Sequence, residues 1–235
     1  GQPYDYQEGT VASFAPGQAI TVRHRPDYRP NALGVLFHPD LIRGTELGRD
    51  IGQYSFFAYD VREALHLSEE EKGIFRDCID KTRAELNHSI DNHSRRLICR
   101  NIQLLLDYCM RFYERQFITR HNVNHDVLTR FERLLNGYFA DGRAAKEGLP
   151  SVRHFAEECY LSPNYFGDLV KKETGRTPQE LIQSKIVSVA KEELVASGKT
   201  VGEVAGQLGF QYVQHFNRFF KRNTGMTPSE YRHSN

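Results

Sequence analysis

The last third of the chain carries one helical unit written twice. Lys171-Lys172-Glu173-Thr174-Gly175-Arg176-Thr177-Pro178-Gln179-Glu180-Leu181 returns fifty residues later as Lys221-Arg222-Asn223-Thr224-Gly225-Met226-Thr227-Pro228-Ser229-Glu230-Tyr231. Upstream, Val152, Phe155, Ala156, Cys159 and Leu161 are answered forty-nine residues on by Val201, Val204, Ala205, Leu208 and Phe210, so the second copy holds one extra residue in its turn. Such self-similarity constrains the fold before any other signal, and it points to two copies of one contact.

Each copy reads as helix, turn, helix. Ser151 is placed to cap a helix whose apolar face holds Val152, Phe155, Ala156 and Cys159; Ser162-Pro163 then opens a second, since a Ser oxygen satisfies a free first-turn N–H and Pro loses nothing at the first helical position. Phe166, Leu169 and Val170 are spaced to be buried, and Gly175 supplies the left-handed stop. In the second copy Thr200 caps, Val201, Val204, Ala205 and Leu208 face inward, Gly209 closes, and Phe216, Phe219 and Phe220 anchor the next helix. The spacing assigns these aromatics to the core and not to base stacking. Two short helices joined by a tight turn make the helix-turn-helix shape, whose second helix can lie in the major groove of DNA.

Thr177-Pro178 opens a connecting helix through Leu181, Ile182, Ile186, Val189, Ala190 and Leu194, ending at Gly198. Its roughly twenty residues span about 30 Å, close to the roughly 34 Å of one DNA turn. One chain could therefore meet two successive major grooves.

Residues 151–232 resemble the DNA-binding domain of the AraC/XylS family of transcription regulators. The resemblance rests on Ala205-x-x-Leu208-Gly209-Phe210, Phe216-x-x-x-Phe220-Lys221 and Gly225-Met226-Thr227-Pro228-x-x-Tyr231-Arg232, together with the internal duplicate. It implies two helix-turn-helix motifs on a connecting helix, reading two adjacent half-sites of double-stranded DNA, usually as a homodimer through an upstream ligand or dimerisation domain. By the family's tendency the regulator is an activator; RNA polymerase and a small-molecule effector of the full-length protein are partners the resemblance admits. The first-motif positions matching the family's base readers are Asn164, Gly167 and Asp168. This is a weak set, because Gly offers no side chain and Asp accepts from cytosine but is repelled by phosphate. In the second motif they are Val213, Gln214, Asn217 and Arg218, with His215 beside them. Arg can fork onto guanine, Gln onto adenine, and Val can touch a thymine methyl. Lys171, Lys172, Lys221 and Arg222, at the ends of the two reading helices, suit phosphate.

Charge alone would not suggest DNA, since residues 151–235 carry 11 basic and 9 acidic side chains. The whole chain, with 26% charged and 39% hydrophobic residues in 235, has the composition of an ordinary globular protein of one or two domains. It has neither a signal-peptide pattern nor an apolar run of about 18 residues, so no membrane is expected and residence is cytoplasmic by default. Cys78, Cys99, Cys109 and Cys159 lack paired spacing and read as buried thiols. His121 with His125, and His88 with His93, find no third ligand at a convincing spacing, so neither metal nor cofactor is expected.

The front of the chain mixes strand and helix patterns. Residues 10–23 alternate through Val11 and Phe14, turn at Pro16-Gly17-Gln18 and return through Ile20 and Val22; Ala32–Phe37 is another apolar run. These resemble the closing strands of the cupin-type barrel that often heads family members, but three strands cannot close a barrel. A truncated form, or a sheet completed by another copy, is the expectation. Ser68 and Glu71 then form a capping box before Ile74, Phe75, Cys78 and Ile79. The helix from about Ser94 to Gln116 sets Ile98, Ile102, Leu105, Cys109 and Phe112 at heptad spacing, read as a dimerisation seam, with cover by Ile74 and Phe75 of the same chain as the alternative. A third helix carries Val127, Leu128, Phe131, Leu134, Leu135 and Tyr138.

The chain is thus read as mainly α: a partial cupin-like β region over 1–60, a helical dimerisation region over 61–139, a linker over 140–150 rich in small and charged residues, and a double helix-turn-helix domain over 151–235. The function expected is that of a sequence-specific transcription regulator and not an enzyme. The same paired motif accompanies DNA-repair alkyl transfer in some adaptive-response proteins, but the Pro-Cys-His-Arg setting and four-cysteine zinc site of that chemistry are absent from this sequence. His24 and His38 do not compose a metal-ligand set for cupin chemistry either. The alternative is a protein-interaction module with degenerate helix-turn-helix motifs, its DNA binding lost or gated.

Overall fold

A computed structural model describes residues 9–18, 31–196 and 198–234, apart from the side chains of His121 and Asn122. The chain divides into two compact units, residues 1–120 and 121–235.

In the first unit β1 (Thr10–Val11) pairs antiparallel with β2 (Leu65–His66), with Thr10 opposite His66. The turn predicted at Pro16-Gly17-Gln18 forms, with Gly17 at φ 78° and Gln18 N–H donating to the Ala15 carbonyl at 3.2 Å. A left-handed Gly at the third position is what a type II turn requires, and Pro suits its second. The strand expected to pass Phe14 stops at Val11, and its return through Ile20 and Val22 lies outside the described residues. Ala32–Phe37 is not a strand. Its Val35 packs on Cys78, Ile79 and Leu105 while Ala32, Leu33 and Leu36 stay exposed, and the run pairs with no strand among the described residues. The described strands make only a two-stranded pairing.

Two short helices, α1 (Pro39–Ile42) and α2 (Glu46–Asp50), and several 3-10 turns lead to α3 (Glu69–Asn87) and α4 (Ser94–Thr119). The Ser68/Glu71 box caps α3 as the sequence predicts: Glu71 N–H reaches Ser68 Oγ at 3.3 Å and Ser68 N–H reaches the Glu71 carboxylate at 2.8 Å. Arg115 of α4 grips that same carboxylate at 2.8 and 2.9 Å. Gln116 lies along β2, accepting from His66 N–H at 2.8 Å and donating to the Ala64 carbonyl at 3.2 Å. One amide side chain thereby satisfies two backbone groups on the outer edge of β2.

The heptad seam is spent within the chain. Ile102, Leu105, Cys109 and Phe112 are all buried in a single copy, with Ile98 half-buried, and α4 packs along α3. In a single copy these residues are therefore largely covered by the chain itself, with Phe75 of α3 packed on the cluster that holds Leu105. The physical reason is that an antiparallel helical hairpin also buries a stripe of three-and-four spacing.

The second unit starts at α5 (His121–Ala140), the helix carrying Phe131 and Tyr138. It belongs with the repeat and not with the preceding helices: Phe131 is fully buried, with its ring edge-on to Phe155 and Phe166 at 5.2 Å each. The stretch 140–150 is not an open linker, for α6 (Arg143–Glu147) forms within it and Ala144 is fully buried. Small residues there permit close packing, and the same composition suggests a linker when only the sequence is seen. The repeat follows as α7 (Val152–Glu158), α8 (Pro163–Thr174), α9 (Pro178–Ala196), α10 (Val201–Gln207), α11 (Val213–Thr224) and α12 (Pro228–Ser234). Every one of Phe155, Phe166, Phe216 and Phe220 is fully buried, each contributing about 1.5–3 kcal/mol.

Candidate nucleic-acid interface

The two helix-turn-helix copies are built by matching hydrogen bonds. After the first helix, Leu161 N–H closes on the Ala156 carbonyl and Phe210 N–H on the Ala205 carbonyl, both at 2.9 Å. After the second helix, Thr174 Oγ1 donates to Val170 at 2.7 Å and Thr224 Oγ1 to Phe220 at 2.8 Å. Gly175 and Gly225 take φ 72° and 83°, the left-handed stop that favours Gly. The following helices then start alike, Thr177 and Thr227 N–H each reaching Glu180 and Glu230 at 2.7 Å. These bonds to the carboxylates are the largest cause holding Glu180 and Glu230 below the usual carboxylate range. Arg232, whose role the sequence did not disclose, caps the end of α9 through the Leu194 carbonyl at 2.9 Å and the Lys199 carbonyl at 2.6 Å.

On this shared frame the outer faces differ. At 100° per residue, Gln214, Arg218 and Lys221 centre one face of α11, with Val213 and Asn217 at one margin and His215 and Arg222 at the other. Gln214, His215, Arg218, Lys221 and Arg222 are exposed, and Val213 is 38% exposed. Asn217 is the exception: it is half-buried and its Oδ1 is enclosed without a hydrogen-bond partner among the described residues. The helix carries three basic and no acidic side chains. On α8 the equivalent face holds Asn164, exposed, with Gly167 and Asp168 half-buried, and Lys171 and Lys172 exposed in the last turn. Asp168 and Glu173 cancel the two lysines, and Glu173 is engaged by Asn124 of α5 at 3.1 Å.

The helix starts differ too. Ser162 Oγ accepts from Tyr165 N–H at 3.3 Å at the start of α8, whereas Tyr212 offers α11 no side-chain cap. Tyr212 instead stands 53% exposed with its ring edge-on to His215 at 5.4 Å. It was not among the sequence-predicted contacts; a large aromatic where the first copy has a capping Ser was the available signal.

All four cysteines are free and buried, and burial pushes the Cys109 thiol up to about 12. Among the described residues no three His, Cys, Asp or Glu side chains group as metal ligands, and no helix is long and apolar enough to cross a membrane.

Residues 155–234 match the family described as "Helix-turn-helix domain". The C-terminal domain is of the AraC type. AraC-type domains are those of a family of DNA-binding transcription regulators. Over 84 residues the chain is 34% identical to the uncharacterized HTH-type transcriptional regulator YobQ of Bacillus subtilis, covering 36% of this chain and 35% of that protein. It is 33% identical over 82 residues to the bifunctional transcriptional activator/DNA repair enzyme AdaA of the same organism, covering 35% of this chain and 39% of AdaA. A DNA-binding transcriptional dual regulator from Escherichia coli K-12, solved by crystallography, matches at 23% identity and a TM-score of 0.39, covering 46% of this chain and 97% of that one. The chain spans well under half the length of the curated relatives it matches.

Proposed function

We propose that this AraC-type domain reads two adjacent major-groove half-sites of double-stranded DNA, α8 entering one and α11 the next, and that α11 supplies most of the base discrimination. The observation that carries this reading is the pairing of a duplicated frame with one strongly basic outer face, that of α11. Arg218 is assigned to guanine, Gln214 to adenine and Val213 to a thymine methyl, with Asn164 and Asp168 as the weaker readers of the first half-site. Lys171, Lys172, Lys221 and Arg222 hold phosphates, and Tyr212 with His215 forms an aromatic shoulder beside them. Between the two motifs α9 has 19 residues, about 28 Å at 1.5 Å per residue, which suits grooves one turn apart.

AdaA is named as a transcriptional activator, and we extend that sense to this chain. The repair activity in AdaA's name is not extended, because all four cysteines here are buried, and Cys78, Cys109 and Cys159 are desolvated toward the neutral thiol.

Selection of bound fragments from a random duplex pool, followed by titration across salt, tests the reading. Two enriched blocks about one turn apart, with affinity falling steeply as salt rises, are expected. Absence of enrichment at low salt would overturn it and favour the interaction-module alternative.

A further inference from the structure

The turn residues of the two motifs, Tyr160 and Gly209, occupy equivalent positions and share a left-handed backbone, at φ 60° and 89°. Their surroundings are opposite. Tyr160 is 71% exposed, with the Arg130 guanidinium over its ring at 4.9 Å. Gly209 is covered by backbone: a Cβ there would stand 2.6 Å from the Gly148 carbonyl carbon and 2.8 Å from the Ala144 and Gly148 oxygens. No flexible side chain is available to give way. The first motif tolerates a tyrosine where the second admits no side chain at all.

What lies on Gly209 is the end of a strap that starts on the other motif. Along α5, Asn124 holds Glu173 of α8, and Phe131 meets Phe155 and Phe166. Tyr138 packs edge-on to His154 at 5.4 Å, and its hydroxyl donates to the Gly148 carbonyl at 3.0 Å. Arg143 covers the Tyr138 ring at 5.1 Å and pairs with Glu147 at 3.1 Å, while Gly148 N–H closes α6 on the Ala144 carbonyl at 2.9 Å. The α5–α6 segment is therefore packed into the core of the first motif and seated by its backbone on the turn of the second. It forms a second bridge beside α9.

We infer that the seat of Ala144–Gly148 on Gly209 is a positioning device that fixes one motif against the other and so sets the half-site spacing one chain accepts. This rests on the two-half-site reading above. With both bridges intact the pair behaves as one ruler; with the seat lost, the second motif pivots on α9 and accepts other spacings.

Gly209→Ala and Gly225→Ala make a matched pair. Both place a side chain on a left-handed backbone, but around Gly225 a Cβ would meet nothing within 4 Å, so only Gly209→Ala lifts the strap. Tyr138→Phe, which removes one hydrogen bond and keeps the ring, is the gentler variant should Gly209→Ala not fold. The full chain is titrated against duplexes whose two selected blocks are set at the native separation and at one and two base pairs more or less. Wild type and Gly225→Ala are expected to lose at least tenfold in affinity at the altered separations, while Gly209→Ala, and less so Tyr138→Phe, lose only a few-fold. A spacing profile in Gly209→Ala and Tyr138→Phe that matches wild type would overturn the inference.

A readout without DNA separates its failure from that of the proposed function. Spin labels at Lys172→Cys and Arg222→Cys, both exposed while the native cysteines are buried, report the distance between the motifs. The distribution is expected to broaden in Gly209→Ala and Tyr138→Phe but not in Gly225→Ala; unchanged distributions in the first two would refute the brace. Should wild type select no bipartite site, the reading of DNA fails and the label distances alone decide whether the brace exists.

Discussion

The two helix-turn-helix motifs share the hydrogen bonds that join their helices to within about 0.1 Å, but on their outer faces they share only the basic pair in the last turn, Lys171-Lys172 and Lys221-Arg222. Thr174 and Thr224, Glu180 and Glu230, and the glycines between them do identical work in ending one helix and starting the next. Outside that frame, α8 carries Gly167 and Asp168 where α11 carries Asn217 and Arg218. Duplication has kept what determines backbone path and the basic pair suited to phosphate, and has let diverge the positions that would meet bases. Repeated residues are thus evidence of fold, and the unrepeated ones at matching positions are where function is to be sought.

Truncating the cores tests the shared frame most strongly. Phe166→Ala and Phe216→Ala, at two fully buried positions, should each cost about 3–5 kcal/mol in urea unfolding. Costs differing by more than about 2 kcal/mol would show that the copies do not rely on their cores equally. The outer faces should part company next. Arg218→Ala is expected to lose about 1–3 kcal/mol of DNA binding and to relax preference at one base, whereas Asp168→Ala loses little or binds tighter. Equal losses would mean that the ranking of the motifs is wrong.

Capping gives a smaller and opposite pair. Ser162→Ala should destabilise by about 1 kcal/mol, while Tyr212→Ser, which restores to α11 the cap that α8 already has, should stabilise by a similar amount. A Tyr212→Ser protein that melts lower would show that the Tyr212–His215 contact outweighs a cap. Acid sets the finest distinction. The carboxyls of Glu180, Glu203 and Glu230 are held low chiefly by backbone N–H groups of Thr177, Thr200 and Thr227. Their contribution is present above the unfolded glutamate value of about 4.3 and is lost as pH falls through the lower folded values. Helix content followed by circular dichroism should therefore decline less with acid in Glu180→Gln and Glu230→Gln than in wild type, and equally in the two if the frame is shared.

What could be read in advance follows the range of the interactions. Caps, stops and the apolar stripes of α7 to α11 depend on residues within a few positions, and Ser68, Ser162, Thr200 and Gly175 behave as their sequence neighbours dictate. Contacts between distant segments were not legible. Nothing local tells that Phe131 belongs with Phe155 and Phe166, that Ala144 will be buried, or that Val35 will lie on Cys78 instead of in a strand. The α4 seam shows the limit most plainly, since the same spacing serves a partner chain or a neighbouring helix. Of the proposed reading face, Gln214, Arg218, Lys221 and Arg222 are exposed and Asn217 turns partly inward, while the signal of Tyr212 lay only in comparing the copies, where it replaces a capping Ser.

The amide of Gln116 carries a consequence for how the short β ribbon can grow. By occupying both the donor at His66 and the acceptor at Ala64, it leaves the outer side of β2 without a template for a further strand. Extension of the sheet, whether by residues of this chain or by a neighbouring molecule in a crowded cell, is confined to the flank of β1. Because α4 covers that flank, Gln116→Ala would leave the His66 N–H and the Ala64 carbonyl buried and unpaired, and the loss would be read as a lower melting temperature.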